Sequence, residues 1–579
     1  MSAGAVERTW IKALVDEAHA IRLAPILQIR LETARLLVRR GVTDPDVAER
    51  YLNPQLKHLP DPFSMKGVDV AANRIADAIQ ANERITLYGD YDVDGVTSTS
   101  LLASFLKMHG VEARSYIPKR LIEGYGLNEE AVNTIAEWGT DLLITLDCGI
   151  TASDEIQRAN EHGIQTIVVD HHKCPPKLPP AFATLNPHQD DCPYPDKVLA
   201  AVGVTFNLII AVRKVLRDRG VYEGDDLAEP NLKRMMDLVA LGTIADMVPL
   251  TGVNRVLTWY GVIELKRAMR PGVRALMEVS KVRPVKVASS DVAFRLGPRI
   301  NAAGRLHDAS VGVKMLLTED MSEARKYAQS LDHANGSRQQ IEGDVFRAAV
   351  DIIDGWDALP HAIVLADESW HPGVVGIVCS KLVERYDRPA ILVGEGGRGS
   401  ARTAKGVHLY DAINDCSSFL TKFGGHRAAA GLRMSHKNVE AFRAALVDRV
   451  AQDPSYGEQT ESTLIFDDDL SPEDIDYPFH RELSKLEPYG LGNPEPLFRM
   501  KNVRVRDARI VGGDHLKFRI MEGRWGGLSA IAFKRGDMHE SMVPGRSLDL
   551  ACHLDLNEWA GLEKLELRVR DLRPLDAPA

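Results

Sequence analysis

No uninterrupted apolar stretch in the chain reaches the roughly 18–20 residues that a membrane helix needs. Internal repeats and low-complexity tracts are also missing from the 579 residues. Cysteine is scarce: Cys148, Cys174, Cys192, Cys379, Cys416 and Cys552 are scattered, without a Cys-x-x-Cys pair. A disulfide framework is thereby excluded, and reduced thiols of a cytoplasmic protein are expected. The opening Met-Ser-Ala-Gly-Ala-Val-Glu-Arg lacks the basic and apolar segments of a secretory signal, which points the same way. An excess of positive charge is missing too, the net charge being −10. The deficit is uneven, because from Arg481 onward 17 Lys and Arg face 15 Asp and Glu. Net charge therefore neither proves nor excludes a polyanionic substrate. The length suffices for several domains, each with its own core, and 45% hydrophobic with 26% charged residues is ordinary globular composition.

What the chain does have is a carboxylate triplet, Asp90, Asp92 and Asp94, directly after the apolar run Ile85–Tyr88. In extended backbone, residues i, i+2 and i+4 face the same way, so their mutual repulsion calls for a cation. Hard divalent ions such as magnesium or manganese take such oxygen ligands. A solvated acidic turn is the plainer alternative. An EF-hand loop also begins Asp-x-Asp-x-Asp-Gly, but its twelfth position, where the bidentate Glu belongs, is Leu101 here.

Between about residues 84 and 250, strand-like runs alternate with helical periods, the pattern of a parallel α/β sheet. Leu142–Leu146 leads to Asp147, and Ile167–Val169 leads to Asp170, His171 and His172. Open α/β sheets bind ligands at the carboxyl ends of their strands, so these clusters should meet. Asp246, after an apolar helical stretch from Met235 to Leu241, is a fourth candidate. Zinc ligation by His171, His172, Cys174, His188 and Cys192 is conceivable, although the spacings fit no standard site. The first strand should be followed by a helix capped by Thr97 or Ser98 and ended by Gly110.

The expected organisation is an N-terminal helical segment over 1–80, a catalytic α/β domain over 81–317 and a Pro-free connector helix over 318–356. A second α/β domain over 357–455 follows, with glycine-rich loops at 396–402 and 424–431 suited to phosphate. Short alternating strands over 456–579 suggest an OB-fold-like barrel, in which Phe498, Trp525 and Phe533 are candidates for stacking on bases.

Asp90-Tyr91-Asp92-Val93-Asp94-Gly95, Asp147, Asp170-His171-His172 and Asp246 resemble the four motifs of the DHH phosphoesterase superfamily. Further segments are similar to its single-strand-specific exonuclease branch, in the same order from about residue 25 onward. They include Leu296–Leu306, Trp370–Gly376 and Leu486–Pro496. One departure is Ala401 in Gly399-Ser400-Ala401-Arg402, where the branch often has glycine.

The resemblance implies a metal-dependent 5′→3′ exonuclease that degrades single-stranded DNA to 5′-mononucleotides in repair and recombination. Two divalent ions, manganese or magnesium, would lie about 3.5–4 Å apart. Asp147 would bridge them, Asp92 would complete one set of ligands, and Asp94, His171 and Asp246 the other. Asp90 is a ligand or supports one, and His172 matches the family histidine at the scissile phosphate. Arg120, Ser400 and Arg402 match the pocket for the 5′-terminal phosphate, while Arg299, Asn301 and Arg305 would line the strand path and His426 would touch a substrate phosphate. The family further implies a monomer working with a helicase and a single-strand-binding protein. Two other functions stay open: an oligonucleotide or cyclic-dinucleotide phosphodiesterase, and a non-catalytic scaffold that binds single strands.

Overall fold

The computed structural model describes residues 8–575, apart from 121–122, 125, 225–226, 307, 405, 454–455, 457–462, 524–526 and 560–561. Among the described residues no helix is long and apolar enough to cross a membrane.

The catalytic half is built on a five-stranded, all-parallel sheet. Its spatial order is Arg114–Tyr116, Ile85–Gly89, Leu142–Leu146, Gln165–Val169, Ala183–Leu185. Ile85–Gly89 and Leu142–Leu146 are buried throughout, as apolar runs covered by helices on both faces must be. Chain order reverses between those two strands, and such a switch point opens a crevice at their carboxyl ends. Asp90 and Asp147 are the first residues past the two ends.

The helix after the first strand runs Val93–Met108, earlier than Thr97 or Ser98 would start it. Its cap is Asp92, whose Oδ1 accepts from the N–H groups of Asp94 and Gly95 at 2.9 and 3.2 Å. The Thr97 hydroxyl instead donates to the Val93 carbonyl inside the helix. Gly95 allows this turn to close on the strand end, since a Cβ there would lie 2.4 Å from the Asp90 carbonyl oxygen.

A 34-residue helix, Met321–Asp354, leads to the second α/β domain. Its five strands are ordered Lys422–Gly425, Ala429–Arg433, Arg398–Arg402, Ala390–Val393, Ile363–Ala366, and only the last pair is parallel. Ala401 is fully buried in the strand Arg398–Arg402, which is paired on both sides, so the position expected to be glycine is filled by core packing. The C-terminal strands Phe498–Val511, His515–Ile520, Ser529–Ala532, Leu562–Pro574 and Ser547–Trp559 close into a barrel through pairing of the first with the last. Helices Glu17–Leu27, Leu31–Arg39 and Pro45–Leu52 share one core with this barrel, Leu23, Leu36 and Leu37 packing in the same cluster as Phe479 and Phe498. Strand Thr9–Lys12 also pairs with Thr463–Phe466.

Candidate active site

Side chains from four segments converge on the crevice. Three overlapping groups place their ligand atoms within 4.8 Å of one another: Asp90, Asp92, Asp147; Asp147, His171, His172; and Asp94, His171, Asp246. His171 Nε2 lies 3.3 Å from Asp147 Oδ1, 3.7 Å from Asp246 Oδ2 and 4.0 Å from Asp94 Oδ2. Asp147 belongs to two of the groups and is almost fully buried. It sits in the left-handed region with φ 64, a conformation Asp tolerates better than most residues. That turn carries its carboxylate back over the strand ends.

The electrostatics of the crevice call for positive charge. Burial, reinforced by Asp92, pushes Asp90 up to about 8 and Asp94 up to about 7. Burial and then Asp94 and Asp92 raise Asp246 to about 9, and Asp147 is carried well above the carboxylate range by burial and its three neighbours in the triplet. Four carboxylates cannot ionise together in so small and dry a volume without cations. Asp90 Oδ1, Asp147 Oδ1 and Asp246 Oδ2 are buried and make no hydrogen bond. Burial and His172 hold His171 down at about 4, so its imidazole is neutral and able to ligate. Oxygen-rich ligands with a neutral imidazole suit a hard divalent ion, and the residues present fit a two-ion site.

Two supporting roles join residues far apart in the chain. Asp94 accepts from the N–H groups of Ala201 and Val202 at 2.6 and 2.8 Å, and so caps helix Ala201–Asp218, whose own cap residue Ala200 cannot. Asp170 belongs to none of the three ligand groups and holds its neighbours instead. Its Oδ1 accepts from His172 Nδ1 at 2.7 Å and from the His171 and His172 N–H groups, while Oδ2 accepts from the Ile150 N–H. Burial alone would lower the His172 pKa, but the Asp170 carboxylate carries it above the ordinary imidazole value.

Arg120 lies over the Tyr91 ring, Cζ 4.8 Å from its centroid, so the arginine rests on a residue of the acidic loop itself. Burial and the like charges of Arg120, Arg338 and Arg402 depress the Arg305 pKa to about 10. Four guanidiniums from both α/β domains and the connecting helix are thus close enough to repel one another, Arg338 being paired with Glu342 at 2.9 Å. Ser400 is beside them, its Oγ 3.2 Å from where a Cβ on Gly376 would lie, with Arg402 Nη2 at 3.3 Å. Arg338 was not among the sequence candidates, because its helical surroundings carry no phosphate-binding pattern. His426 reaches across from the second domain to line a cavity of about 320 Å³ together with His172, Asp170, Gly149 and Ile150.

Two expected strand contacts are engaged within the protein. Arg299 Nε pairs with Asp332 at 2.8 Å on the connecting helix. Asn301 Oδ1 accepts from the Val93 N–H at 3.1 Å, directly between Asp92 and Asp94. Cys174, His188 and Cys192 join none of the described ligand groups. In the barrel Phe498 is buried core, Phe533 is 52% exposed, and Trp525 lies outside the described residues.

This sheet, its acidic and histidine cluster at the switch point, and the second domain behind it define a DHH phosphoesterase. Residues 84–243 match the DHH family N-terminal domain, 359–452 the DHHA1 domain and 466–571 the RecJ OB domain. The chain is 37% identical over 585 residues to the single-stranded-DNA-specific exonuclease RecJ of Escherichia coli, covering 97% of this chain and 98% of that one. It is 36% identical over 571 residues to the Bacillus subtilis protein of the same name, covering 97% of this chain and 69% of that one. The crystal structure of Thermus thermophilus RecJ in complex with Mn2+ superposes with a TM-score of 0.81 at 32% identity, covering 98% of this chain and 80% of that one. The Mg2+ complex of that protein gives 0.76 at 31% identity, with 98 and 79% covered. The chain belongs to the RecJ family.

Proposed function

We propose that this chain is a metal-dependent exonuclease that degrades single-stranded DNA from the 5′ end and releases 5′-mononucleotides. The observation that carries the proposal is the convergence of Asp90, Asp147 and Asp246, each with a buried oxygen lacking a hydrogen bond, beside a cluster of four arginines.

Asp90, Asp92 and Asp147 would hold one divalent ion, and Asp94, Asp147, His171 and Asp246 the other, manganese and magnesium both suiting this donor set. When bound, such ions offset the carboxylate repulsion, acidify water and neutralise charge developing on phosphoryl oxygens. The protein's own groups do the positioning. Asp170 fixes the Nδ1–H tautomer of His172, so that Nε2 is aimed at a non-bridging oxygen of the scissile phosphate. Arg120, Arg305, Arg338 and Arg402, with Ser400, hold the terminal 5′-phosphate through forked, charge-assisted hydrogen bonds. His426 closes the cavity over the first nucleotide from the second domain. A closed end one nucleotide from the reacting phosphate makes the enzyme an exonuclease with that polarity.

A substrate of free single strands implies work downstream of a helicase and alongside a single-strand-binding protein, by a cytoplasmic monomer acting in repair and recombination. The test incubates 5′-labelled single- and double-stranded DNA with the protein and manganese. Rapid release of 5′-mononucleotides from single strands alone is expected. Strand binding without cleavage would instead mark a scaffold.

A further inference from the structure

Four neighbouring strands of the parallel sheet end on the side of the crevice, and each is followed at once by a polar side chain. Asp90, Asp147 and Asp170 follow Ile85–Gly89, Leu142–Leu146 and Gln165–Val169, and Asn186 follows Ala183–Leu185. The fourth place thus holds a neutral amide where the other three hold carboxylates. Asn186 is fully buried, and both ends of its amide are engaged. Nδ2 donates to the His172 carbonyl at 2.8 Å, and Oδ1 accepts from the His188 N–H at 2.8 Å. An amide offers a donor and an acceptor side by side, whereas an ionised carboxylate has no proton for the carbonyl. The Asn186 backbone is itself anchored, its carbonyl accepting from the Gln189 N–H and from Gln189 Nε2, both at 3.3 Å. Gln189 Nε2 also donates to the Thr184 carbonyl at 3.0 Å, inside the strand. The amide is therefore fixed to the sheet.

His172 needs such a fixture. Asp170 holds its ring through Nδ1 and its backbone through the N–H, but neither bond restrains the carbonyl side of the residue. Past His172 the chain runs through residues 173–182 without helix or strand. Asn186 closes that stretch at its root, by a bond from 14 residues further along the chain. We propose that Asn186 is a positioning residue for hydrolysis, fixing the His172 backbone so that the imidazole keeps one place at the scissile phosphate. It acts on turnover through His172 and touches neither substrate nor metal ions. This inference rests on the exonuclease reading and on the role of His172 in it.

Asn186→Ala and Asn186→Leu test it, each made in the parent and in His172→Ala. Leucine is close to asparagine in volume, so the second variant keeps the core filled where the first might not fold. Single-turnover cleavage of 5′-phosphorylated strands at saturating Mn2+, followed over enzyme concentration, separates the maximal rate from half-saturation. Each Asn186 variant should lower the maximal rate roughly 5- to 100-fold, the range for a buried polar group left unpaired. Half-saturation and the calorimetric Mn2+ dissociation constant should stay within about twofold of the parent. In His172→Ala the same substitutions should cost less than about twofold, since residues acting through one another are not additive. A parent-like maximal rate, an equal loss with and without His172, or a change confined to half-saturation or to Mn2+ binding would overturn the proposal. Parent-like cleavage by His172→Ala would instead remove the role of the histidine, and absence of cleavage by the parent the exonuclease reading, the proposal falling with either.

Discussion

Replacing Asn301 by alanine separates two roles for the helix Gly297–Leu306. The resemblance assigns it to the strand path, yet Asn301 Oδ1 accepts the Val93 N–H at 3.1 Å, in the middle of the acidic loop. Gly304 of the same helix packs so closely on that loop that a Cβ would lie 2.8 Å from the Tyr91 carbonyl oxygen. Both contacts shape the loop that presents Asp90, Asp92 and Asp94. In Asn301→Ala a half-buried N–H loses its acceptor, at a cost of about 1–3 kcal/mol. If the whole cost falls on the ion-ready form of the loop, the Mn2+ dissociation constant rises roughly 5- to 100-fold. Asn301→Asp keeps an acceptor in place and should recover most of the loss. Calorimetric titration of the protein with Mn2+, paired with strand-binding anisotropy in EDTA, reads the two roles separately. Weak metal binding with unchanged strand affinity is expected for the alanine variant. Unchanged metal binding with reduced strand affinity would refute the bracing role and return Asn301 to the substrate.

Asp147→Ala should abolish hydrolysis while sparing strand binding in EDTA, and residual turnover near the parent rate would remove Asp147 as the shared ligand. Folded-state pKa values of about 7, 8 and 9 for Asp94, Asp90 and Asp246 lie above the ordinary carboxyl value of 3.8, so the metal-free protein loses stability as pH rises through that range. Stabilisation by Mn2+ should therefore grow between about pH 5 and pH 8, reaching roughly 5–10 °C in Tm at a hundredfold excess over Kd, and equal increments at both pH values would contradict the repulsion argument. Arg402→Ala and Arg338→Ala should each narrow the preference for 5′-phosphate over 5′-hydroxyl ends about 10- to 100-fold, measured as kcat/KM on paired oligonucleotides. Asp170→Asn should lower kcat roughly 10- to 100-fold with little change in KM, and a change confined to KM would place His172 in ground-state binding only.

Local pattern carried most of the centre. An apolar strand followed at once by Asp90 or Asp147 is legible because strand and ligand adjoin in the chain, and the parallel-sheet rule then brings their ends together. The cap position failed for a related reason: Asp92 is both a ligand candidate and a helix cap, and only the folded turn shows that one of its oxygens is spent on the N–H groups of Asp94 and Gly95. The Asp94 hydrogen bonds to Ala201 and Val202 span more than a hundred residues. No periodicity encodes such a pairing. Arg338 stayed hidden because on a long charged helix an arginine that joins a cluster looks like one that meets solvent.

The N-terminal helices were the least legible element, since their apolar stripes say that a partner exists without saying which. The structure places them on the barrel, where Arg35 pairs with Asp468 at 2.8 Å and Arg39 with Asp467. Arg255 then joins the pieces. Buried at 2% exposure, it stacks 3.9 Å over the Tyr51 ring and donates to the carbonyls of Tyr51, Lys485 and Leu486, which belong to the N-terminal module and to the segment entering the barrel. A buried guanidinium whose donors are met by three carbonyls tolerates little displacement, because moving any one of them strands a charge in the interior. The barrel is thus held at a set distance from Asp246. A strand leaving the metal centre would therefore meet a barrel at a fixed place and not a swinging domain.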